Sequence, residues 1–108
     1  MEKWKTKISI HKGEDFFVRG RSILELIPRI SFAEMIFLLW QNRLPKKNEE
    51  RMLNAMLVAS AEHGVEPPST FVARSVVSST LDLSGALAAG ILAVGKRHGG
   101  AIEKIAQI

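Results

Sequence analysis

The sequence predicts a mainly α chain that begins with a short β-hairpin, and three observations predict it. From Ile23 onward apolar residues recur at three- and four-residue spacings, the mark of helices with one buried face. Most of these runs open on a serine, asparagine or aspartate, whose side chain accepts from the free N–H groups of a helix start. Two-residue alternation is confined to the stretch before Gly20, where Ile8 and Ile10 stand between polar neighbours.

Residues 1–20 form the predicted hairpin arm and residues 21–108 the helices. In the arm, His11-Lys12-Gly13-Glu14-Asp15 reads as the turn and Phe16-Phe17-Val18 as the returning strand, which Gly20 ends. Ser22-Ile23-Leu24-Glu25 has capping-box spacing and opens a short first helix that Pro28 stops. Ser31-Phe32-Ala33-Glu34 repeats the pattern and starts a second helix running to about Gln41. That helix is apolar nearly all round, which predicts deep burial. Arg43-Leu44-Pro45 connects it to a third helix, capped by Asn48, with Met52, Leu53, Met56, Leu57 and Ala59 as its stripe and Gly64 as a left-handed cap. After the stiff Val65-Glu66-Pro67-Pro68 loop, Ser69 caps a fourth helix. Asp82 or Ser84 caps a fifth, whose Ala86, Ala88, Ala89, Gly90 and Ala93 permit close helix–helix approach. A sixth begins near Gly100 with Ala101, Ile102, Ile105 and Ala106, and breaks off about two turns in. Helices so short are marginal alone, so the expectation is the front part of a larger protein.

A length of 108 residues suits one domain and is short for two. The 46% apolar and 24% charged shares are those of a globular protein with a core. There is no cysteine, which excludes disulfides and thiolate metal sites and fits a reducing compartment. No apolar run approaches the ~18 residues of a membrane span, and no apolar leader segment follows Met1. The expected location is the cytoplasm. A net charge of +4, with basic groups at Lys3, Lys5, Lys7 and at Lys46, Lys47, Arg51, suits an anionic metabolite or simply a solvated basic surface. Nucleic acid is not expected. The connector between the second and third helices is long for a helix-turn-helix, and Glu49 and Glu50 open the would-be recognition helix.

Two histidines beside glycines carry the candidate chemistry. His63, in Glu62-His63-Gly64, falls in the predicted last turn of the third helix. Free carbonyls there favour an imidazolium able to donate to a substrate carbonyl or carboxylate. The alternative is a histidine that caps its own helix. His98, in Arg97-His98-Gly99-Gly100, precedes a helix start, whose dipole favours a neutral ring. Such a ring can polarise a carbonyl and steady an enol by donating its N–H, and free N–H groups from Ala101 onward would help hold developing charge. The alternative is a turn histidine between helices. His11 reads as solvated, Ser69 and Asp82 as caps. No phosphate-loop spacing, HExxH or other metal motif occurs, so no metal is expected.

Taken in order, Ile23-Leu24-Glu25-Leu26, Leu38-Leu39-Trp40 with Arg43-Leu44-Pro45, Ala61-Glu62-His63-Gly64, Pro68-Ser69-Thr70-Phe71, Ala88-Ala89-Gly90-Ile91 and His98-Gly99-Gly100-Ala101 form a specific set. With them the run from Ser22 to Ile108 resembles the large helical domain of the citrate synthase family, which includes citryl-CoA lyases and the citryl-CoA-cleaving part of ATP-citrate lyase. The resemblance implies a partial large domain without the small CoA-binding domain. It implies formation or cleavage of the carbon–carbon bond between acetyl-CoA and oxaloacetate. His98 then looks like the catalytic histidine that hydrogen-bonds the thioester carbonyl, and His63 like the one that binds oxaloacetate or the citryl group. Acetyl-CoA or CoA enters as substrate, with no resident cofactor. A second histidine, the aspartate base and the carboxylate-binding arginines would follow Ile108, so this chain alone is expected to be inactive. The family pairs subunits through helices, and the third and fourth helices, around Met56 and Val76, look like parts of a homodimer interface. Lys96-Arg97 before His98, where many synthases have a Gly-Pro type sequence, leans toward the lyase branch. The competing expectation is a catalytically dead helical oligomerisation module.

Overall fold

A computed structural model describes residues 6–98. The predicted sixth helix, with Gly99, Gly100 and Ala101, lies outside the described residues. Within them the order is β1 (Ser9–Lys12), β2 (Asp15–Val18), β3 (Arg21–Ser22), α1 (Ile23–Leu26), α2 (Phe32–Gln41), α3 (Lys47–Ser60), α4 (Pro68–Thr80) and α5 (Leu83–Leu92). The chain divides into two compact units between Ala61 and Glu62.

The first unit opens with a three-stranded antiparallel meander in the order β1-β2-β3, one strand more than the hairpin expected. Lys12 pairs with Asp15, so the turn is only Gly13-Glu14, and His11 lies in β1 opposite Phe16 rather than in a turn. Glycine first, at φ +64°, is the placement that type II′ turns use. The added strand follows from the second turn. Arg19 and Gly20 both have positive φ, +48° and +77°, which is the type I′ pattern whose twist matches the strands it joins. A left-handed arginine is strained, but this one is tied down at both ends. Its N–H donates to the Ile8 carbonyl at 2.7 Å, and its Nε donates to the Leu39 carbonyl at the end of α2, 3.1 Å away.

Ser22 does not close a capping box. Its hydroxyl donates instead to Asp15 Oδ2 at 2.6 Å across the sheet, and α1 ends at Leu26 ahead of Pro28. Ser31 does close one: its Oγ accepts from Glu34 N–H, and Glu34 Oε2 accepts from Ser31 N–H at 2.7 Å. Buried Val18, Leu26 and Leu38 make the core, with Phe16, Ile23, Ile30, Met35, Leu39 and Leu44 packed round it. Leu38 is wholly enclosed, yet α2 is not deeply buried as its composition predicts. Phe32 and Trp40 are 77% and 66% exposed. An all-apolar helix states that every face wants cover, not that this unit supplies it.

The third helix starts two residues earlier than the Asn48 cap predicts, at Lys47, with Glu49 Oε2 accepting from the Lys46 N–H at 2.7 Å. Glu49 also receives both terminal nitrogens of Arg43, at 2.7 and 2.8 Å, while the guanidinium lies 4.9 Å from the Phe37 ring centre. The hydrogen bond from Arg43, then that from the Lys46 backbone, holds the Glu49 carboxyl down at about 2. This stack closes the α2–α3 connection on its solvent side.

The second unit is built on a helical hairpin. Leu81, in the left-handed region at φ +54°, ends α4, and Asp82 caps α5 by accepting from the N–H groups of Ser84 and Gly85. Of the two caps left open by the sequence, the first is used. The end of α5 returns to the start of α4, where Gly90 lies against the Ser69 carbonyl and the Ala73 methyl. Ala86 and Gly90, four apart and so on one face, are both buried.

Candidate functional site

The site grows from the start of α4. Pro67 is the residue flanking this helix and Pro68 its first residue, a place where the missing proline N–H costs nothing. Ser69 is therefore inside the first turn and not the cap that its residue type suggests. A prolyl N1 was the available signal: it moves the cap back to Pro67 and frees the Ser69 hydroxyl.

That hydroxyl meets His98. Ser69 Oγ lies 2.9 Å from His98 Nε2, a side-chain pair spanning 29 positions of sequence. The imidazole is set from its own side by a tight turn after α5. Gly95 N–H donates to the His98 carbonyl at 2.7 Å and His98 N–H donates to the Gly95 carbonyl at 2.9 Å, leaving Lys96-Arg97 as a two-residue loop. The ring is half-buried. Gly90 supports the arrangement from below, because a Cβ there would stand 3.0 Å from the Ser69 carbonyl oxygen and 3.1 Å from the Ala73 Cβ. Only hydrogen lets α5 come this near to the turn that carries Ser69. A shallow groove beside the pair is lined by Ser69, Ala73, Leu87, Gly90 and Val94.

The bond constrains the proton on the ring. If Ser69 accepts from Nε2–H, the neutral ring offers only a lone pair at Nδ1. If the hydroxyl donates to Nε2, Nδ1 carries the hydrogen and can donate it onward. The second arrangement is the one an electrophilic histidine needs.

His63 does not fall in the last turn of α3. The helix ends at Ser60, and Ala61 is its cap. The dipole argument for that ring therefore lapses, since the effect fades within the final turn. Gly64 does take the left-handed conformation predicted, at φ +85°, but in a small turn of its own. Its N–H donates to Glu62 Oε1 at 2.6 Å, and its carbonyl lies 3.2 Å from His63 Nδ1. A carbonyl only accepts, so Nδ1 is the donor in that contact. His63 is exposed, and its hydrogen bonds stay in its own loop, whereas those of His98 reach back to α4. His11 stacks on Phe16 at 4.7 Å between ring centres, and Asp82 is spent on its helix cap.

Residues 45–108 match the family model described as "Citrate synthase, C-terminal domain". Over 77 residues the chain is 35% identical to a Citrate/2-methylcitrate synthase of Bacillus subtilis (strain 168), covering 70% of this chain and 20% of that protein. It superposes on citryl-CoA lyase from Hydrogenobacter thermophilus with a TM-score of 0.85 and 45% identity, covering 94% of this chain and 40% of that one. A second structure, ATP citrate lyase from Methanothrix soehngenii in complex with citrate and coenzyme A, gives a TM-score of 0.83 at 24% identity, covering 94% of this chain and 17% of that one. That likeness speaks to the fold alone. The chain spans about a fifth of the length of the first curated relatives it matches. Helices over a small antiparallel N-terminal sheet are the citrate synthase-like fold class expected. With the family model covering more than half of its residues, the chain belongs to the citrate synthase family.

Proposed function

We propose that this chain supplies the electrophilic part of an enzyme that makes or breaks the carbon–carbon bond between the acetyl group of a CoA thioester and the carbonyl carbon of oxaloacetate. The observation that carries the reading is the Ser69–His98 pair, with one ring nitrogen engaged by the hydroxyl at 2.9 Å. With the Ser69 hydroxyl donating to Nε2, the neutral His98 ring carries its hydrogen on Nδ1, and Nδ1–H donates to the thioester oxygen. In the bond-making direction a base removes a methyl proton, the electron pair passes to that oxygen, and the hydrogen bond strengthens as charge develops. The resulting enol carbon attacks the oxaloacetate carbonyl, whose oxygen takes up a proton. In cleavage the citryl hydroxyl gives up its proton, the carbon–carbon bond breaks, and the enol so released is held by the same N–H until it is reprotonated on carbon. By the resemblance, a base and carboxylate-binding arginines complete the site.

His63 is the proposed orienter of oxaloacetate or the citryl group. Its exposed ring and the bare backbone at Gly64 support that role. The cleavage direction is favoured by the 45% identity to a citryl-CoA lyase and by Lys96-Arg97 ahead of His98. The family membership weighs against a catalytically dead association module. A cytoplasmic homodimer using the faces that carry Met56 and Val76 completes the proposal. Met56 is largely exposed, which supports such a contact.

The test is a coupled assay of the complete protein in both directions, with acetyl-CoA plus oxaloacetate and with citryl-CoA. His98→Ala is expected to lower kcat by about 10²–10⁴-fold while circular dichroism and unfolding midpoint stay near those of the parent. Near-normal turnover in that variant refutes the role.

A further inference from the structure

We infer that Lys96 and Arg97 form an electrostatic guide that draws the phosphate-bearing end of a CoA thioester toward His98. The inference rests on the proposed function and adds a role for two residues that the chemistry itself does not use. Its first support is geometric. The paired hydrogen bonds between Gly95 and His98, at 2.7 and 2.9 Å, make a loop whose tip is Lys96-Arg97, so two cations stand at a set position one and two residues from the imidazole. Both are exposed.

The second support is the charge around them. Between residues 62 and 98 the basic residues are Arg74, Lys96 and Arg97, and the acidic ones are Glu62, Glu66 and Asp82. Asp82 is committed to the α5 cap and Glu62 to the Gly64 N–H. Among the described residues the ion pair formed is Arg43 with Glu49, in the other unit, and neither Lys96 nor Arg97 meets a carboxylate. Two adjacent cations with no carboxylate partner among the described residues repel each other and raise the potential at the His98 turn. Such an arrangement is unfavourable alone and is relieved by an incoming anion. CoA is an anion of several charges, whereas its pantetheine arm is neutral.

The cations act through space over a Debye length, about 8–10 Å at ordinary salt. They therefore govern capture more than chemistry. The experiment measures CoA affinity by calorimetry and kcat/KM by turnover in the complete protein, each at low and high salt. The double variant Lys96→Gln/Arg97→Gln is expected to bind CoA about three- to tenfold more weakly at low salt, with a flatter salt dependence. Its kcat should be unchanged, and so should its affinity for pantetheine as the uncharged probe. The swap Lys96→Arg/Arg97→Lys keeps both charges and should behave as the parent. Unchanged CoA affinity and salt slope in the double variant overturn the guide. Equal losses for CoA and pantetheine, or a kcat that falls in step, overturn it too, because the loop would then act by shape on His98. A parent protein that turns over neither substrate pair refutes the proposed function instead, while the CoA titration still decides whether the loop attracts the anion.

Discussion

Replacing Gly90 by alanine tests how closely the two helices of the second unit must meet. The added methyl carbon would stand 3.0 Å from the Ser69 carbonyl oxygen and 3.1 Å from the Ala73 Cβ. Ordinary contacts at carbon are about 3.5–4.0 Å, so α4 and α5 must part by a few tenths of an ångström. Crowding of this kind costs about 1–3 kcal/mol. Against it, alanine in a helix interior is favoured over glycine by about 1 kcal/mol. The expected net loss is therefore about 0–2 kcal/mol, where each kcal/mol lowers Tm by about 4–8 °C at this chain length. Gly90→Val adds two more carbons and forfeits the propensity gain, so the order of Tm should run parent, alanine variant, valine variant. The second readout is local. The displaced carbonyl belongs to Ser69, so the imidazole resonances of His98 should shift in the alanine variant while those of His11 stay put. A rise in Tm together with an unmoved His98 spectrum would refute the idea that glycine is there for the approach.

Three further outcomes follow. Ser69→Ala removes the group that fixes the ring proton, and loss of one such hydrogen bond is worth about 0.5–1.5 kcal/mol. A fall in kcat of about two- to tenfold is expected, with Ser69→Thr recovering part of it and ring nitrogen shifts reporting a changed tautomer mixture. His63→Ala should raise KM for the four-carbon acid or citryl substrate far more than it lowers kcat, and steady-state kinetics in the complete protein checks this split. For the Arg43–Glu49 pair, the folded carboxyl is held at about 2 against an ordinary 4.5, so the unfolded chain binds the proton first as pH falls. Its stabilisation is thus present above about pH 4.5 and fades as pH drops through about 2. The gap in unfolding midpoint between parent and Glu49→Gln should close over that range and also narrow with added salt.

Local signals in the sequence proved legible where both partners lie within one turn. Ser31 and Glu34 close the capping box that their spacing announces, Asp82 caps α5, and Gly64 has the positive φ assigned to it. The errors have equally local causes. Ser22 has the right spacing but a better acceptor in Asp15 across the sheet, so the box stays open. The third helix ends three residues before the sequence predicts, although Ala61, Glu62 and His63 are compatible with helix. The Ser60 hydroxyl instead donates back to the Leu57 carbonyl, and Glu62 is drawn off to the Gly64 N–H. The exposure of α2 departs from its composition because composition shows which faces are apolar and not what covers them. The Ser69–His98 bond could not be read from spacing at all, since the fold of α4 onto α5 is what brings those residues together.

Where Ser69 stands in its helix decides what its hydroxyl can do. Further along α4 the hydroxyls turn inward on their own helix: Ser75 donates to Phe71, Ser79 to Ser75 and Thr80 to Val76, at 2.9, 3.0 and 2.8 Å. A serine in a helix interior finds an aligned carbonyl three or four residues back and spends its proton there. Ser69, second in α4, has only the Val65–Pro67 loop behind it and no helical carbonyl at that spacing. Its proton is therefore available to His98. The two prolines start the helix two residues earlier than a serine cap at position 69 would, and so leave the Ser69 hydroxyl free for that ring. They turn a residue that could have served the backbone into one that sets a tautomer. Moving the helix start by one residue, with Pro68→Ser, should return a cap at that position while leaving Ser69 in the first turn. The His98 ring should then show the same tautomer as the parent, Nδ1–H under the proposed function, and a change to Nε2–H in the nitrogen spectrum would show that proline rigidity, and not helix position, controls the hydroxyl.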